Sequence, residues 1–296
     1  MQLLIYILAY PILWFISRLP FRLFYLFSDV VFFWVYTVFG YRKKVVWINL
    51  KLTFPEKDDA SLLKIQRQFY SHMCDMFMEM IKPMHMSKTE MTKRYHIVNI
   101  EVLKEIEKEK TVLIPCAHYA NWEWNTSLGL YSNAKGYAVY QKVGNKYFDA
   151  LIKKIRSKWN TELITQQETV KTVLVNERKG ITSGFGMVSD QSPQVHRAKY
   201  WADFMGVKVP IHTGVETLAR KFDLAVVFLK VTKIKRGYYN AEFIPITTSG
   251  KETKEHEITD AFLKLTEQQI REAPQYYLWT HKRWKHRNRV PEEFKN

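Results

Sequence analysis

Cysteine is nearly absent: 296 residues contain only Cys74 and Cys116, far apart and without metal-ligand spacing. Neither a disulfide framework nor a zinc site is indicated, and a reducing compartment is the simplest reading. No Gly-rich phosphate loop, internal repeat or low-complexity tract occurs, so neither a nucleotide cradle nor a repeat array is indicated. No cofactor and no metal is called for. Acidic residues are scarce beside basic ones, 29 Asp and Glu against 45 Lys and Arg, which leaves a net charge of +16. Such an excess implies an anionic partner: nucleic acid, an acidic membrane surface, or an acidic protein or ligand. No nucleic-acid-binding motif accompanies the charge, and an apolar N-terminus argues against that partner.

Aromatic residues are plentiful at 15%, and they gather near both ends beside positive charge, as at a membrane interface. Residues 3–17 are apolar but shorter than the roughly 20 residues of a spanning helix, and Pro11 interrupts them. Residues 23–41 are long enough to span, although Asp29 is costly at a bilayer centre. Arg42, Lys43 and Lys44 follow, a cluster of the kind that stays cytoplasmic. A basic n-region and a small-x-small cleavage site are lacking, which argues against a signal peptide. We read residues 1–44 as a membrane anchor, spanning or embedded, and residues 45–296 as a catalytic domain. The competing reading is a hydrophobic hairpin inside a soluble core.

The remainder alternates helical and strand-like segments. Residues 60–82 carry Leu62, Ile65, Phe69, Met73, Met76, Phe77 and Met80 at helical spacing. Their Met-rich stripe is core, or borders a greasy pocket. Helices are expected at 100–106, 147–159, 169–177, after Thr213-Gly214, and at 255–272. Strands are expected at 112–117, 136–140, 181–188, 224–231 and 239–246, the last antiparallel. This alternation specifies an α/β fold with a largely parallel central sheet flanked by helices. The tail, residues 276–289, mixes Trp279 and Trp284 with Lys and Arg; its part 282–289 is expected on the membrane surface, with both Trp rings at headgroup level.

Residues 111–124, T-V-L-I-P-C-A-H-Y-A-N-W-E-W, organise the chain. The apolar run is a buried strand, bounded by charge before it. His118 and Glu123 follow, five residues apart. On one helix that spacing sets side chains about 140° apart. The pair makes sense with His118 in the loop leaving the strand, Asn121 as N-cap, and Glu123 in the first turn of the next helix. Base and acid would then meet at the carboxyl end of a strand, where open α/β sheets place ligands. The bland alternative is a packed or surface histidine.

These residues resemble the glycerolipid-type acyltransferases, whose signature is H-x-x-x-x-E after an apolar strand. More narrowly, the chain is similar to the late acyltransferases of bacterial lipid A synthesis. The blocks that carry the likeness include Asn49-Leu50, Phe54-Pro55, His118 to Glu123, Tyr140-Gln141 with the basic helix through Arg156, and Ser189-Asp190-Gln191. Phe204-Met205-Gly206 to Pro210, Thr213-Gly214, Leu218-Ala219-Arg220 and Q-Y-Y-L-W-T-H-K-R at 275–283 complete them. Two departures are plain: Tyr140-Gln141-Lys142 replaces a common Tyr-Arg-Pro, and Asp190-Gln191-Ser192-Pro193 replaces Asp-x-Asp-x-Gly.

The resemblance implies transfer of a fatty acyl chain from a thioester to a hydroxyl of a lipid A precursor. It implies acyl carrier protein as the acidic donor, and action at the cytoplasmic face of the bacterial inner membrane, whose anionic surface the basic charge also suits. His118 would take the hydroxyl proton and return it to the thiolate, as a neutral imidazole can near neutral pH. Glu123 would hold the imidazole in its tautomer. Arg156 would serve the oxyanion or an anionic substrate group, or else be a solvated charge. Asn121, Gln141, Lys153, Asp190, Gln191, Thr213 and Arg283 are the expected substrate contacts, Asp190 equally a turn-former. Lys153, Lys154, Arg156 and Lys158 form a basic face that would steer either substrate. Cys116 offers a covalent route, which its apolar setting disfavours. Other classes remain open: an acyltransferase for another glycolipid or aminolipid, or a non-catalytic membrane-tethered basic binding protein.

Overall fold

The computed structural model describes residues 1–295. Two apolar helices, α1 (Gln2–Arg18) and α2 (Phe21–Phe32), open the chain, and α2 runs on through a π-helical stretch, Phe33–Val38. The helices α3 (Lys43–Thr53), α4 (Asp59–Glu79) and α5 (Lys88–Arg94) follow. Asp58 caps α4 by accepting the Ser61 amide, which satisfies one of the donors that a helix start leaves unpaired. The order then is β1 (Tyr95–Ile97), α6 (Ile100–Glu107), β2 (Val112–Cys116), β3 (Lys135–Tyr140), α7 (Lys146–Arg156), β4 (Thr161–Thr165), α8 (Gln166–Arg178) and β5 (Ser183–Val188). A hairpin of β6 (Tyr200–Phe204) and β7 (Val207–Ile211), then α9 (Gly214–Phe222), β8 (Ala225–Lys235), β9 (Tyr238–Thr247) and α10 (Glu257–Glu272) complete it.

Seven strands form one sheet in the order β1-β9-β8-β2-β5-β3-β4, parallel except for the β8–β9 pair. The α/β architecture and the antiparallel β9 expected from sequence are both present. Every residue of β2 is buried, as a strand covered on both faces requires. Pro115 sits in this central strand without breaking the sheet. Pairing of β2 with β8 ends at Leu113↔Val226, whereas pairing with β5 continues to Cys116↔Val188. The missing N–H of Pro115 falls where the β8 ladder has already stopped.

Period-two alternation divides the core. Leu113, Tyr137, Phe185 and Val226 face Val173 of α8, Leu218 of α9 and Ile258 of α10. Ile114 and Cys116 face the larger cluster on the opposite side, which also takes in α3, α4 and the C-terminal tail. The tail departs from expectation. Trp279 and Trp284 are fully buried and stack at 5.7 Å, with Trp284 also stacked on Phe204. The Trp284 indole N–H donates to the Phe204 carbonyl, and that of Trp279 to Pro274. These rings anchor the tail to the β6–β7 hairpin and do not sit at a headgroup layer, whereas Lys282, Lys285, Arg287, Asn288 and Arg289 stay exposed.

By contrast, α1 and α2 display an outward apolar surface. Leu4, Leu8, Ile12, Phe15, Leu26 and Phe39 are each 59–74% exposed. The inner side of α2 bonds to the domain: Ser28 Oγ donates to Asp75 at 2.8 Å, and Arg236 bridges Asp75 and Asp29. Asp29, costly in lipid, is thereby paired. Phe21–Val38 is long and apolar enough to cross a membrane.

Candidate active site

The carboxyl ends of β2 and β5 build the centre. Cys116 pairs with Val188, and the Ser189 amide donates to the Cys116 carbonyl at 3.0 Å. His118 and Asp190 each lie two residues beyond that matched pair, so the parallel register sets them side by side. His118 Nδ1 lies 2.7 Å from Asp190 Oδ1, and the His118 amide donates to the same oxygen at 3.0 Å. A carboxylate partner puts the proton on Nδ1. Gln191 Nε2 stands 3.2 Å from His118 Nε2, so its amide N–H meets the lone pair that this tautomer leaves there. Trp122 packs edge-on against the imidazole at 5.2 Å.

Asp190 is only 2% exposed. Burial alone raises its pKa, but the His118 ring and amide outweigh it and hold the carboxyl below its usual range. Burial lowers the pKa of His212, and it pushes that of His281 down to about 4. Burial likewise lifts the Cys116 thiol to about 12, and Cys116 Sγ accepts from Asn125 Nδ2 at 3.3 Å.

Glu123 does not hold His118. Its two oxygens accept from Arg156 Nε at 2.8 Å and Nη2 at 2.6 Å, a bidentate pair of the kind that guanidinium and carboxylate favour. The imidazole partner expected at Glu123 is therefore Asp190. The segment carrying Glu123, Trp122–Leu130, is 3₁₀-helical and capped by Asn121, whose Oδ1 accepts the Trp124 amide. Gly129 lets this segment press on the backbone of residues 159 and 160, since a Cβ there would lie 2.1 Å from the Trp159 carbonyl oxygen.

Beneath the segment lies a cavity of about 1140 Å³. Its mouth holds His118, Trp122, Glu123, Arg156, Gln141 and Gln191. It continues along the sheet past Cys116, Gly186, Ala138, Ile114, Gly136 and Gly184 to Leu103, Ser132 and Glu107. Glycine and alanine on β3 and β5 leave a groove where larger side chains would fill the space. From Val188 back to Gly184 the groove runs about 13 Å at about 3.3 Å per residue. Phe77, from the apolar stripe of α4 expected to be core or to border a greasy pocket, lines this cavity.

The other expected contacts lie outside the cavity. Asn121 is fully buried, and its Nδ2 donates to Glu79 Oε2 at 2.6 Å, so it is a cap and not a substrate ligand. Arg283 is 1% exposed and donates to the Pro210 carbonyl at 3.2 Å beneath the Phe204 ring. Burial lowers the Arg283 pKa, with Tyr277 and Asp190 opposing it, and the side chain stands behind the centre and does not line the cavity. Thr213 precedes α9, where its carbonyl takes the Thr217 amide and hydroxyl. Lys153 pairs with Asp149 at 3.5 Å on the outer side of α7. Lys158, read as part of a steering surface, donates to the Pro83 and Met86 carbonyls and is structural.

The family described as bacterial lipid A biosynthesis acyltransferase matches residues 1–286, nearly the whole chain. The chain belongs to that family. Comparison with curated proteins gave no match. Membership makes this lipid A acyltransferase-family chain an acyltransferase with a lipid acceptor. Its apolar N-terminal helix and its family together suggest membrane association.

Proposed function

We propose that this protein transfers a fatty acyl chain from the thioester of acyl carrier protein to a hydroxyl of a lipid A precursor, with His118 as general base. The observation that carries the reading is the His118 imidazole at the cavity mouth, its Nδ1 on a buried carboxylate and its Nε2 left to accept a proton. The acceptor hydroxyl approaches Nε2 and displaces the Gln191 amide. Its oxygen attacks the thioester carbonyl as the proton passes to Nε2. Collapse of the tetrahedral intermediate breaks the C–S bond, and the proton leaves with the thiolate, giving an ester and a free carrier thiol. Asp190 supports the imidazolium that forms between these steps, as the carboxylate of a catalytic triad does. Two of the five guanidinium N–H groups of Arg156 hold Glu123; the others serve the oxyanion or a substrate phosphate.

The groove along β5 takes the acyl chain. At about 1.25 Å per methylene, from a C–C bond of about 1.5 Å and a near-tetrahedral angle, its length suits roughly ten carbons below the mouth.

Residues 1–44 act as the anchor and residues 45–296 as the catalytic domain, at the cytoplasmic face of the inner membrane, where the acidic carrier protein is met. The anchor is embedded in one leaflet and does not cross the bilayer. Ser28 and Asp29, midway along α2, bond to Asp75 and Arg236 of the domain, which a transverse helix could not do.

The test is acyl transfer from acyl carrier protein to a tetraacylated or pentaacylated lipid A precursor, followed by mass spectrometry. The wild-type chain adds one acyl group and His118→Ala adds none. Equal turnover by both would remove His118 from the chemistry, and no transfer by either would favour a binding role.

A further inference from the structure

A cluster of buried ionisable side chains that take no part in the proposed chemistry lies behind the loop carrying His118. His72, Asp75 and Glu79 share one face of α4, at positions i, i+3 and i+7. Glu79 is fully buried. Its Oε1 accepts from the Tyr25 hydroxyl at 2.7 Å, and its Oε2 from Asn121 Nδ2 at 2.6 Å and the Tyr239 hydroxyl at 2.8 Å. Its main-chain carbonyl accepts the Trp124 indole N–H at 3.1 Å. Tyr25 belongs to the apolar helix α2, whereas Asn121 stands three residues after His118 and caps the segment that bears Glu123. One carboxylate thus joins the anchor to the active loop.

A second link runs beside it. Lys233 Nζ lies 3.1 Å from His72 Nδ1, so His72 Nε2–H donates to the Ala120 carbonyl at 3.2 Å. Ala120 has φ +49°, in the left-handed region that disfavours a residue with a Cβ. On the opposite side, the Ala120 amide bonds to the Tyr276 carbonyl and the Leu278 amide to the His118 carbonyl. A strained loop persists only where its surroundings hold it, and here the α4 cluster is one of two walls.

We propose that Glu79 is a positioning residue that couples seating of α2 on the domain to the shape of the His118 loop. The inference rests on the acyl-transfer reading above. Its physical basis is the match of donors to acceptors. Burial raises the Glu79 pKa, with Lys233 and the two tyrosine hydroxyls opposing it. Removing the Tyr25 hydroxyl favours the protonated carboxyl, and a protonated oxygen no longer accepts as well from Asn121. The cap then loosens next to His118.

The experiment measures kcat, donor KM and thermal midpoint for full-length Tyr25→Phe, Asn121→Ala and the double variant in mixed micelles. Tyr25→Phe is expected to lower kcat roughly tenfold, the scale of one lost positioning contact, with donor KM within about twofold, since no donor contact changes. The double variant is expected to be no slower than Asn121→Ala alone, because both lesions act through one carboxylate. A purely structural role would lower the midpoint and leave kcat of the folded enzyme intact, and that result overturns the proposal. So does multiplication of the two rate losses in the double variant. Wild-type transfer with an unaffected Tyr25→Phe sinks only this inference, whereas absence of transfer by wild type sinks the acyl-transfer reading itself.

Discussion

Asp190→Asn is the most discriminating substitution, because two carboxylates compete for the role of imidazole partner. The change keeps the side-chain shape and removes its charge at a site 2% exposed. The carbonyl oxygen of the new amide can still accept the His118 amide and Nδ1–H, which now share Oδ1 at 3.0 and 2.7 Å. The tautomer is therefore expected to survive, and the loss falls on the charged intermediate. Imidazolium and carboxylate centres about 4 Å apart attract by about 4 kcal/mol at an effective dielectric of about 20, equivalent to about 10³ in rate. Should the amide rotate and present its N–H to Nδ1, the wrong tautomer raises the loss toward about 10⁴. Glu123→Gln makes the contrast: it never touches His118 and retains one acceptor for Arg156, so its loss is expected at about 10² or below. Steady-state transfer from an acyl carrier thioester, with thermal midpoints in parallel, reads both. If Asp190→Asn stays within about tenfold of wild type at unchanged stability while Glu123→Gln collapses, the assignment of the imidazole partner to Asp190 is refuted.

Cys116→Ala is expected to keep substantial activity, since a buried thiol pushed up to about 12 supplies no thiolate near neutral pH; an acyl adduct on Cys116 after incubation with donor alone would contradict this. Stability should fall as pH drops from about 6.5 to about 4, because an unfolded His281 takes up a proton in that window and the folded one does not until about 4. His281→Gln should flatten that part of a midpoint-versus-pH curve, and an unchanged slope would locate the acid sensitivity elsewhere. Ser at Leu4, Leu8 and Phe15 together should abolish flotation with anionic vesicles at unchanged fold, because these side chains face outward; if the triple variant still floats until salt is raised, the basic surface is the anchor. Gly184→Ala makes only ordinary contacts with Glu107 and Ile114 at 3.7 and 3.8 Å, yet adds a methyl to the groove. It should shift donor preference toward shorter chains, and an unaltered preference would place the chain elsewhere.

Much of the fold was legible in the sequence because its signals are local. The run at 112–117 is β2, the cap at Asn121 is present, and the strand at 181–188 ends in a loop on the same sheet edge as His118. Short elements escaped. β1 has three residues, too few for periodicity to register, and β4, T-E-L-I-T, carries neither an apolar run nor strict alternation. The β6–β7 hairpin did carry a signal: Met205 and Gly206 have φ of +56° and +76°, the two positive values of a two-residue turn. The sequence announces it as a Gly between alternating segments. Trp279 and Trp284 misled because aromatic residues among Lys and Arg look alike in a membrane interface and in an irregular tail folded into a core. Only the bonds from their indoles to Pro274 and Phe204 distinguish the two.

The exchange of Glu123 for Asp190 has a more general cause. Proximity in sequence made Glu123 the natural partner of His118, but the strand order makes β5, some seventy residues later, the neighbour of β2. With β3 and β4 between them in the chain, one sequence without its sheet does not reveal that adjacency. Once the order is fixed, the parallel register leaves little freedom. Cys116 and Val188 are level, both chains turn out of the sheet, and the acid two residues on meets the histidine two residues on. Glu123 meanwhile sits on the 3₁₀ segment facing the last turn of α7, where Arg156 is already committed to it by two hydrogen bonds. Turning Glu123 toward His118 would leave a largely buried guanidinium without its anion, and leaving a partner uncompensated costs several kcal/mol when the site is dry. The five-residue spacing therefore serves two functions: His118 looks back to the sheet for its carboxylate, and Glu123 looks outward to fix a cation at the mouth of the groove.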